Sequence, residues 1–293
     1  MTDEGEVPAR VIQQFSDRSD RAAVWRALEL VLETDAYLNL GYSDRFQSHL
    51  VGDPQRRLVD VIGQDLARHL STTVGTSLLD VGCGRGGPAV RLSRRHGFSV
   101  TGVDLVRHNI TLARERSRDS RETCRFLVGD ATRLPIQTAS VPAATAIDAP
   151  VYVGAKDRFY GELARVLEPD GIAVVSDLVT TNGLTQAERN TVDTFADTWD
   201  MPPLVTESMY RETIVGASLE LLRVRDVTDN SVGQFKKWAR LFLRLAHGPT
   251  GWIFRRQLST RGVALDPVVE AVEAAAPALP HLRHLIVHIQ RPE

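Results

Sequence analysis

The run Ser77-Leu78-Leu79-Asp80-Val81-Gly82-Cys83-Gly84-Arg85-Gly86-Gly87-Pro88 decides the fold. Leu78, Leu79 and Val81 form an apolar strand of the kind that a doubly wound sheet buries on both faces. Gly82, Gly84 and Gly86 remove side chains where backbone must pass close to a ligand or take a positive φ. Pro88 suits the first turn of a helix, where its missing N–H would have no partner, and Gly97 is a good residue to stop that helix. A buried strand, a glycine turn and a helix N-terminus in that order leave free N–H groups facing the turn. A nucleotide-like cofactor would sit there.

Gly82-x-Gly84-x-x-Gly87 also satisfies the dinucleotide fingerprint, so the spacing alone leaves NAD and other adenosine cofactors open. The sequel sharpens it. The stretch 98–104 reads as a second strand ending in Asp104, about 20 residues beyond the glycines, where a carboxylate accepts both ribose hydroxyls. A third strand ends in Gly129-Asp130-Ala131, followed by Leu134-Pro135, and an acceptor there suits an exocyclic adenine amine.

With these residues in place the chain resembles the class I S-adenosylmethionine-dependent methyltransferases, in their small-molecule, natural-product branch. The matching stretches are Leu79 to Gly86, Asp104, Gly129-Asp130-Ala131 and the run from Glu162 to Gly171. The resemblance implies that Asp80 and the turn glycines Gly82, Gly84 and Gly86 hold the methionine end of S-adenosyl-L-methionine, Asp104 with Leu105 the ribose, and Asp130 with Ala131 the adenine. It adds Ile147 to the cofactor set. It also makes Tyr42, in Asn39-Leu40-Gly41-Tyr42-Ser43, a binding candidate near the methionine end, a half-buried loop tyrosine being the alternative. An NAD enzyme more often begins with its glycine turn, whereas here some 75 residues precede it.

Bulk properties agree. A chain of 293 residues, 43% hydrophobic, can bury one sizeable core with an appended cap. A net charge of −2 provides no field for a nucleic acid partner. The two cysteines, Cys83 and Cys124, suggest reduced thiols and a cytoplasmic setting, and the acidic amino terminus lacks the regions of a signal peptide. No apolar run approaches the roughly 20 residues of a membrane span, so integral membrane association is not expected. No metal is expected, and a homodimer is left open.

The predicted organisation is α/β: a Rossmann-like, doubly wound sheet of seven strands with helical cap and lid insertions. Residues 1–70 read as a helical cap, with Val24, Leu28, Val31 and Leu32 on one helix and Leu58, Val59, Ile62 and Leu66 on another. Residues 71–293 read as the core, with strands near 77–81, 99–104, 125–130, 143–148, 172–177, 219–226 and 282–290. Two insertions, about 184–217 and 233–280, hold Phe195, Trp199, Met201, Met209, Tyr210, Phe235, Trp238, Phe242, Trp252 and Phe254. Packing the cap is the expected role for any single one of them; as a group, some should line a substrate pocket. Within the second insertion, 235–245 is amphipathic with a basic face. It reads as the solvated face of a lid helix, a peripheral membrane helix or an anionic-substrate site being alternatives.

Methyl transfer is an in-line displacement at a sulfonium carbon, so a protein must align the acceptor and, for a hydroxyl, remove a proton. Similar O-methyltransferases place a histidine near Val151 and Tyr152, with an acid after the fifth strand. The acid is present as Asp177 and the histidine is absent. The catalytic candidates are therefore Asp177, Tyr152 and Asp148, with His247 or His49 as deliveries from the cap. The leading expectation is methylation of a small hydrophobic metabolite, oxygen first and carbon next. A fold that binds the cofactor but runs another reaction, such as a cyclisation, is the alternative. A base-flipping enzyme is disfavoured, because Asp148-Ala149-Pro150-Val151 lacks the second proline and the aromatic of that motif.

Overall fold

The structure, a computed structural model, describes residues 36–44, 53–118, 124–249, 251–260 and 265–293, with Ala9, Ile12, Gln13 and Phe15 ahead of them. The helix expected around Val24 to Leu32, and His49, lie outside the described residues, as does the side chain of Phe254.

Strand and helix alternate as the periodicity requires: α1 (Asp53–His69), β1 (Ser77–Val81), α2 (Gly87–His96), β2 (Ser99–Asp104), α3 (Arg107–Arg118), β3 (Cys124–Val128), β4 (Val141–Ile147), α4 (Lys156–Val166) and β5 (Leu167–Thr180). Then follow α5 (Gln186–Thr198), α6 (Glu207–Gly216), β6 (Glu220–Asp226), α7 (Val232–His247), α8 (Gly251–Ser259), α9 (Leu265–Ala275) and β7 (Leu282–Gln290). They form one seven-stranded sheet in the order β3-β2-β1-β4-β5-β7-β6. The first five strands are parallel, and β7 runs antiparallel to both β5 and β6. The predicted Rossmann-like sheet is what the chain forms.

Side-chain alternation divides the core in two. Leu78, Ala143, Ile172 and Val174 join Leu58, Ile62, Leu66, Leu92 and Ile110 on the α1, α2 and α3 face. Leu79, Val81, Ala144, Ala146, Ala173 and Val175 join Phe159, Tyr160, Leu163, Tyr210 and Ile214 on the α4 and α6 face. The central strands are buried on both sides, which is why they read as unbroken apolar runs. A third cluster joins Val151 and Leu178 to Val192, Phe195, Trp199 and Val232 of the inserted helices.

One strand departs from expectation in a way that matters for the site. β5 is 14 residues long, not the six of 172–177. It pairs with β7 continuously from Ile172 to Thr180, and a register shift near Val141 and Ala143 takes up Pro169 and Asp170. Asp177 is therefore inside the strand rather than beyond its end. No helix of the described residues is long and apolar enough to cross a membrane.

Candidate functional site

The strand order reverses between β2-β1 and β4-β5, so the loops leaving β1 and β4 part at their carboxyl ends, where open α/β sheets bind ligands. A cavity of about 710 Å³ opens there. Its floor is Gly82 and Gly84 after β1, Asp104, Leu105 and Val106 after β2, Gly129 to Thr132 after β3, and Ile147, Asp148 and Ala149 at the end of β4. Its far wall is Phe15, Leu38, Tyr152, Val153, Phe159, Pro202 and Pro203, with the charged pair Asp157 and Arg158 at its edge.

The glycines of the turn have different tasks. Gly82 has φ +71°, and a Cβ there would stand 2.2 Å from that of Ala149, so it lets the β1 and β4 loops meet. Gly84, at φ +52°, faces the cavity, where the nearest obstacle to a Cβ is a Leu38 methyl at 3.4 Å. Gly86 does not line the cavity: a Cβ would press on Ala113 at 2.8 Å and the Phe126 ring at 3.2 Å, so it serves the seating of α2 against α3.

Asp104 takes hydrogen bonds on Oδ1 from the Val106 amide (2.9 Å) and Asn109 Nδ2 (3.2 Å), and on Oδ2 from the Gly84 amide (2.9 Å). Burial outweighs these donors and raises its pKa above the usual carboxylate value. Asp130 accepts on Oδ1 from the Thr132 amide and hydroxyl, both at 2.8 Å. Asp80 lies beneath the turn, 1% exposed and outside the cavity lining, and its Oδ2 has no hydrogen-bond partner. Burial, and then the neighbouring charge of Asp104, push its pKa up to about 7. A buried carboxylate left unpaired costs free energy that a cationic ligand would relieve. An ammonium at the methionine end, a ribose at Asp104 and an adenine at Asp130 suit this donor and acceptor set, so the residues present fit S-adenosylmethionine.

The side of the site beyond β4 and β5 is closed. Asp148, at φ +54°, accepts on Oδ1 from Ser176 Oγ (2.5 Å), lies 2.8 Å from His284 Nε2 through that same oxygen, and accepts on Oδ2 from the Leu40 amide (2.8 Å). Burial alone would raise its pKa, but these partners, His284 foremost, hold it below the ordinary carboxylate value. The Leu40 bond fastens segment 36–44 across the cavity, assisted by the Gly87 amide donating to the Ala36 carbonyl at 3.2 Å. Asp177 is fully buried, not in the cavity wall, and paired with Lys156 Nζ at 2.8 Å; the same Nζ donates to the Pro150 carbonyl at 2.6 Å. Burial still raises the Asp177 pKa. Its expected position opposite the acceptor depended on a shorter strand, and the long β5 removes it from the cavity.

Tyr152, in the turn Pro150–Tyr152, does line the cavity, its ring edge-on to Phe15 with centroids 5.3 Å apart. Tyr42 does not. Its ring belongs to the α1 face of the core, and its hydroxyl accepts from Arg225 Nη2 at 3.1 Å, with the guanidinium 5.5 Å from the ring centroid. His247 is an exposed partner of Glu273 at 2.9 Å. Sequence reasoning passed over His284, Ser176, Lys156 and Asn109. Only Asn109 left a signal, one helical turn beyond the strand-end acid.

Residues 78–171, which carry the turn and all three acids, match the family model described as a methyltransferase domain. These residues form a methyltransferase domain. Its curated relatives include O-methyltransferase rstn1 of Aspergillus nomiae, 27% identical over 67% of this chain and 85% of that protein. Another is 24-methylenesterol C-methyltransferase 2 of Oryza sativa subsp. japonica, 34% identical over 52% of this chain and 42% of that protein. The matched segment thus spans between 42% and 85% of these relatives. Among solved structures, the [4+2]-cyclase SpnF superposes with a TM-score of 0.71 at 21% identity, covering 99% of this chain and 97% of that one. The methyltransferase domain and the cavity coincide, because the strand ends that line the floor fall within the matched residues.

Proposed function

We propose that the chain transfers the methyl group of S-adenosylmethionine to a small, largely apolar metabolite, with oxygen the favoured acceptor atom and carbon next. One observation carries this: a single cavity joins an acid-edged floor, Asp104 and Asp130, to a far wall of Phe15, Leu38, Tyr152, Val153, Phe159, Pro202 and Pro203. The cofactor, when bound, supplies an electrophilic methyl carbon and its own leaving group. The protein supplies the rest. Asp104 accepts ribose hydroxyls, Asp130 fixes the adenine edge, and Asp80 balances the ammonium. The apolar wall excludes water and holds the acceptor in line at about 3–3.5 Å. The Tyr152 hydroxyl orients it.

A hydroxyl acceptor's proton finds no histidine base, although the Asp157 carboxylate lines the cavity beside Arg158. Among the described residues no histidine lines the cavity, and both oxygens of Asp148 are already engaged. The acceptor we infer is therefore an acidic hydroxyl, such as a phenol conjugated to a carbonyl, or a carbon nucleophile. The same lack of a histidine favours a second reading, a ring closure within a bound polyene, which needs no proton transfer. The O- and C-methyltransferase relatives support the first, and the fold shared with a [4+2]-cyclase suits the second. The helices within 184–217 and 233–280 we propose as a lid, since Pro202 and Pro203 already reach the cavity. Incubation of a metabolite panel with methyl-labelled cofactor decides between these readings. Labelled product with one added methyl group supports transfer; a new product of unchanged mass, with cofactor intact, supports cyclisation and overturns it.

A further inference from the structure

Helices α7 and α8 present a face that the cavity does not use. Residues 232–260 contain Lys236, Lys237, Arg240, Arg244, Arg255 and Arg256 and not one Asp or Glu, in a chain whose net charge is −2. The inner side of α7 is committed to packing. Ala239 and Phe242 are buried against Leu265, Val268 and Val272, while Phe235 and Trp238 pack on the cluster of Val151, Phe195 and Trp199. The outer side carries large apolar groups in water: Leu241 is 51% exposed, Leu245 45%, Trp252 65% and Ile253 43%.

All four fall on α7 or on the first turn of α8. Leu241 and Leu245 are one turn apart on α7. The corner into α8 is tight, with the Gly251 amide donating to the Gly248 carbonyl at 2.9 Å and a Cβ on Gly251 standing 2.2 Å from the Ala246 carbonyl oxygen. Trp252 and Ile253 therefore start where the Leu245 turn ends. The surrounding cations Lys237, Arg240, Arg244, Arg255 and Arg256 are exposed. Asp266 of α9 pairs with Arg255 and Glu273 pairs with His247. Among the described residues no acid pairs with Lys237, Arg240, Arg244 or Arg256.

A merely solvated helix face mixes charges of both signs and does not hold an exposed tryptophan among leucines. A symmetric contact with a second copy would set like charges against each other. A polyanion in water, such as a nucleic acid, would leave the apolar four wet. An anionic bilayer meets both demands, since its interface takes tryptophan and leucine while its phosphates take lysine and arginine. We propose that the outer face of α7 and α8 docks on an anionic lipid surface. The chain then lies on the membrane without spanning it, and the inner side of α7 ties that surface to the cluster against which Tyr152 of the cavity wall packs. This inference does not depend on which reaction the cavity performs.

Sedimentation of the full chain with phosphatidylcholine vesicles, with and without phosphatidylglycerol, tests it. The anionic vesicles should bind at least roughly tenfold more tightly at moderate salt, and rising salt should release the protein. Arg240→Glu with Arg244→Glu should weaken binding roughly tenfold or more, and Trp252→Ser by about threefold or more. These positions are exposed, so circular dichroism and the thermal midpoint should not change. Equal binding to both vesicle types, or binding indifferent to the variants, overturns the proposal. So does self-association in sedimentation velocity that Trp252→Ser abolishes, or equally tight binding to single-stranded RNA that ignores Trp252.

Discussion

The acids after β1, β2 and β3 and those of β4 and β5 sit at the same end of one sheet and are treated in opposite ways. Asp80 keeps an oxygen without a partner, and Asp104 and Asp130 face the cavity. Asp148 and Asp177 are saturated from within, by His284, Ser176 and Leu40 in one case and by Lys156 and the Leu178 amide in the other. Asp104 also has both oxygens bonded, but by Gly84, Val106 and Asn109, which themselves line the cavity, whereas none of the partners of Asp148 and Asp177 does. A strand-end acid is thus a candidate for chemistry only once its partners are known.

The most damaging way to probe the closed half is to unpair it. Lys156→Met leaves Asp177 buried without its counter-charge, and should lower unfolding free energy by about 3–5 kcal/mol in denaturant titration. Adding Asp177→Leu should restore most of that, because replacing both partners leaves no orphaned charge. If Lys156→Met is well folded but inactive, Asp177 belongs to the chemistry after all. In the open half, Asp104→Ala should weaken cofactor binding at least roughly tenfold by calorimetry, for a loss of about 1.5–3 kcal/mol of charged hydrogen bonding. Unchanged affinity in a folded variant would remove Asp104 from the site.

Asp80 sharpens the comparison through pH. Its pKa rises from 3.8 in the unfolded chain to about 7 in the fold, so the folded chain holds the extra proton. The stability this contributes is complete below about pH 4 and is lost as pH rises through 7. At pH 8 ligand-free Asp80→Asn should therefore melt above the parent, by roughly 2–4 °C for each kcal/mol recovered. Its affinity for the cofactor should fall and lose its dependence on pH, whereas in the parent affinity strengthens as Asp80 ionises. A variant that melts lower at pH 8 would show that the carboxylate is paired in the free protein. The smallest effect is expected at Tyr42, whose hydroxyl is engaged by Arg225. Tyr42→Phe should cost about 0.5–1.5 kcal/mol of stability and alter cofactor affinity by less than about twofold. A larger loss of affinity would return Tyr42 to the site.

The open half was legible in the sequence because its logic is local: strand, glycine turn, then an acid at the end of each following strand, all set by position along the chain. The closed half was not. His284 stands 136 residues from Asp148, and Lys156 stands 21 from Asp177 on another element, so neither pairing leaves a spacing to read. The extent of β5 was hidden for a related reason. Pro169-Asp170-Gly171 has the composition of a turn, and it is the distant Arg291, just past β7, that exchanges backbone hydrogen bonds with Asp170 and Gly171. Even among the glycines, the pattern could not separate Gly84, which faces the cavity, from Gly86, which is fixed by Ala113 and Phe126.

The placement of β7 between β5 and β6 has a consequence for how the chain is made. Emerging from the ribosome, the chain delivers β6 before its partner strand β7, and β5 presents a long unpaired edge until β7 arrives. Throughout that interval the nascent protein carries an open sheet margin of the kind that templates aggregation. The helices α7, α8 and α9 lie between β6 and β7 in sequence, so every residue added there lengthens the exposure. The insertion that caps the finished fold also sets how long its sheet must wait to close.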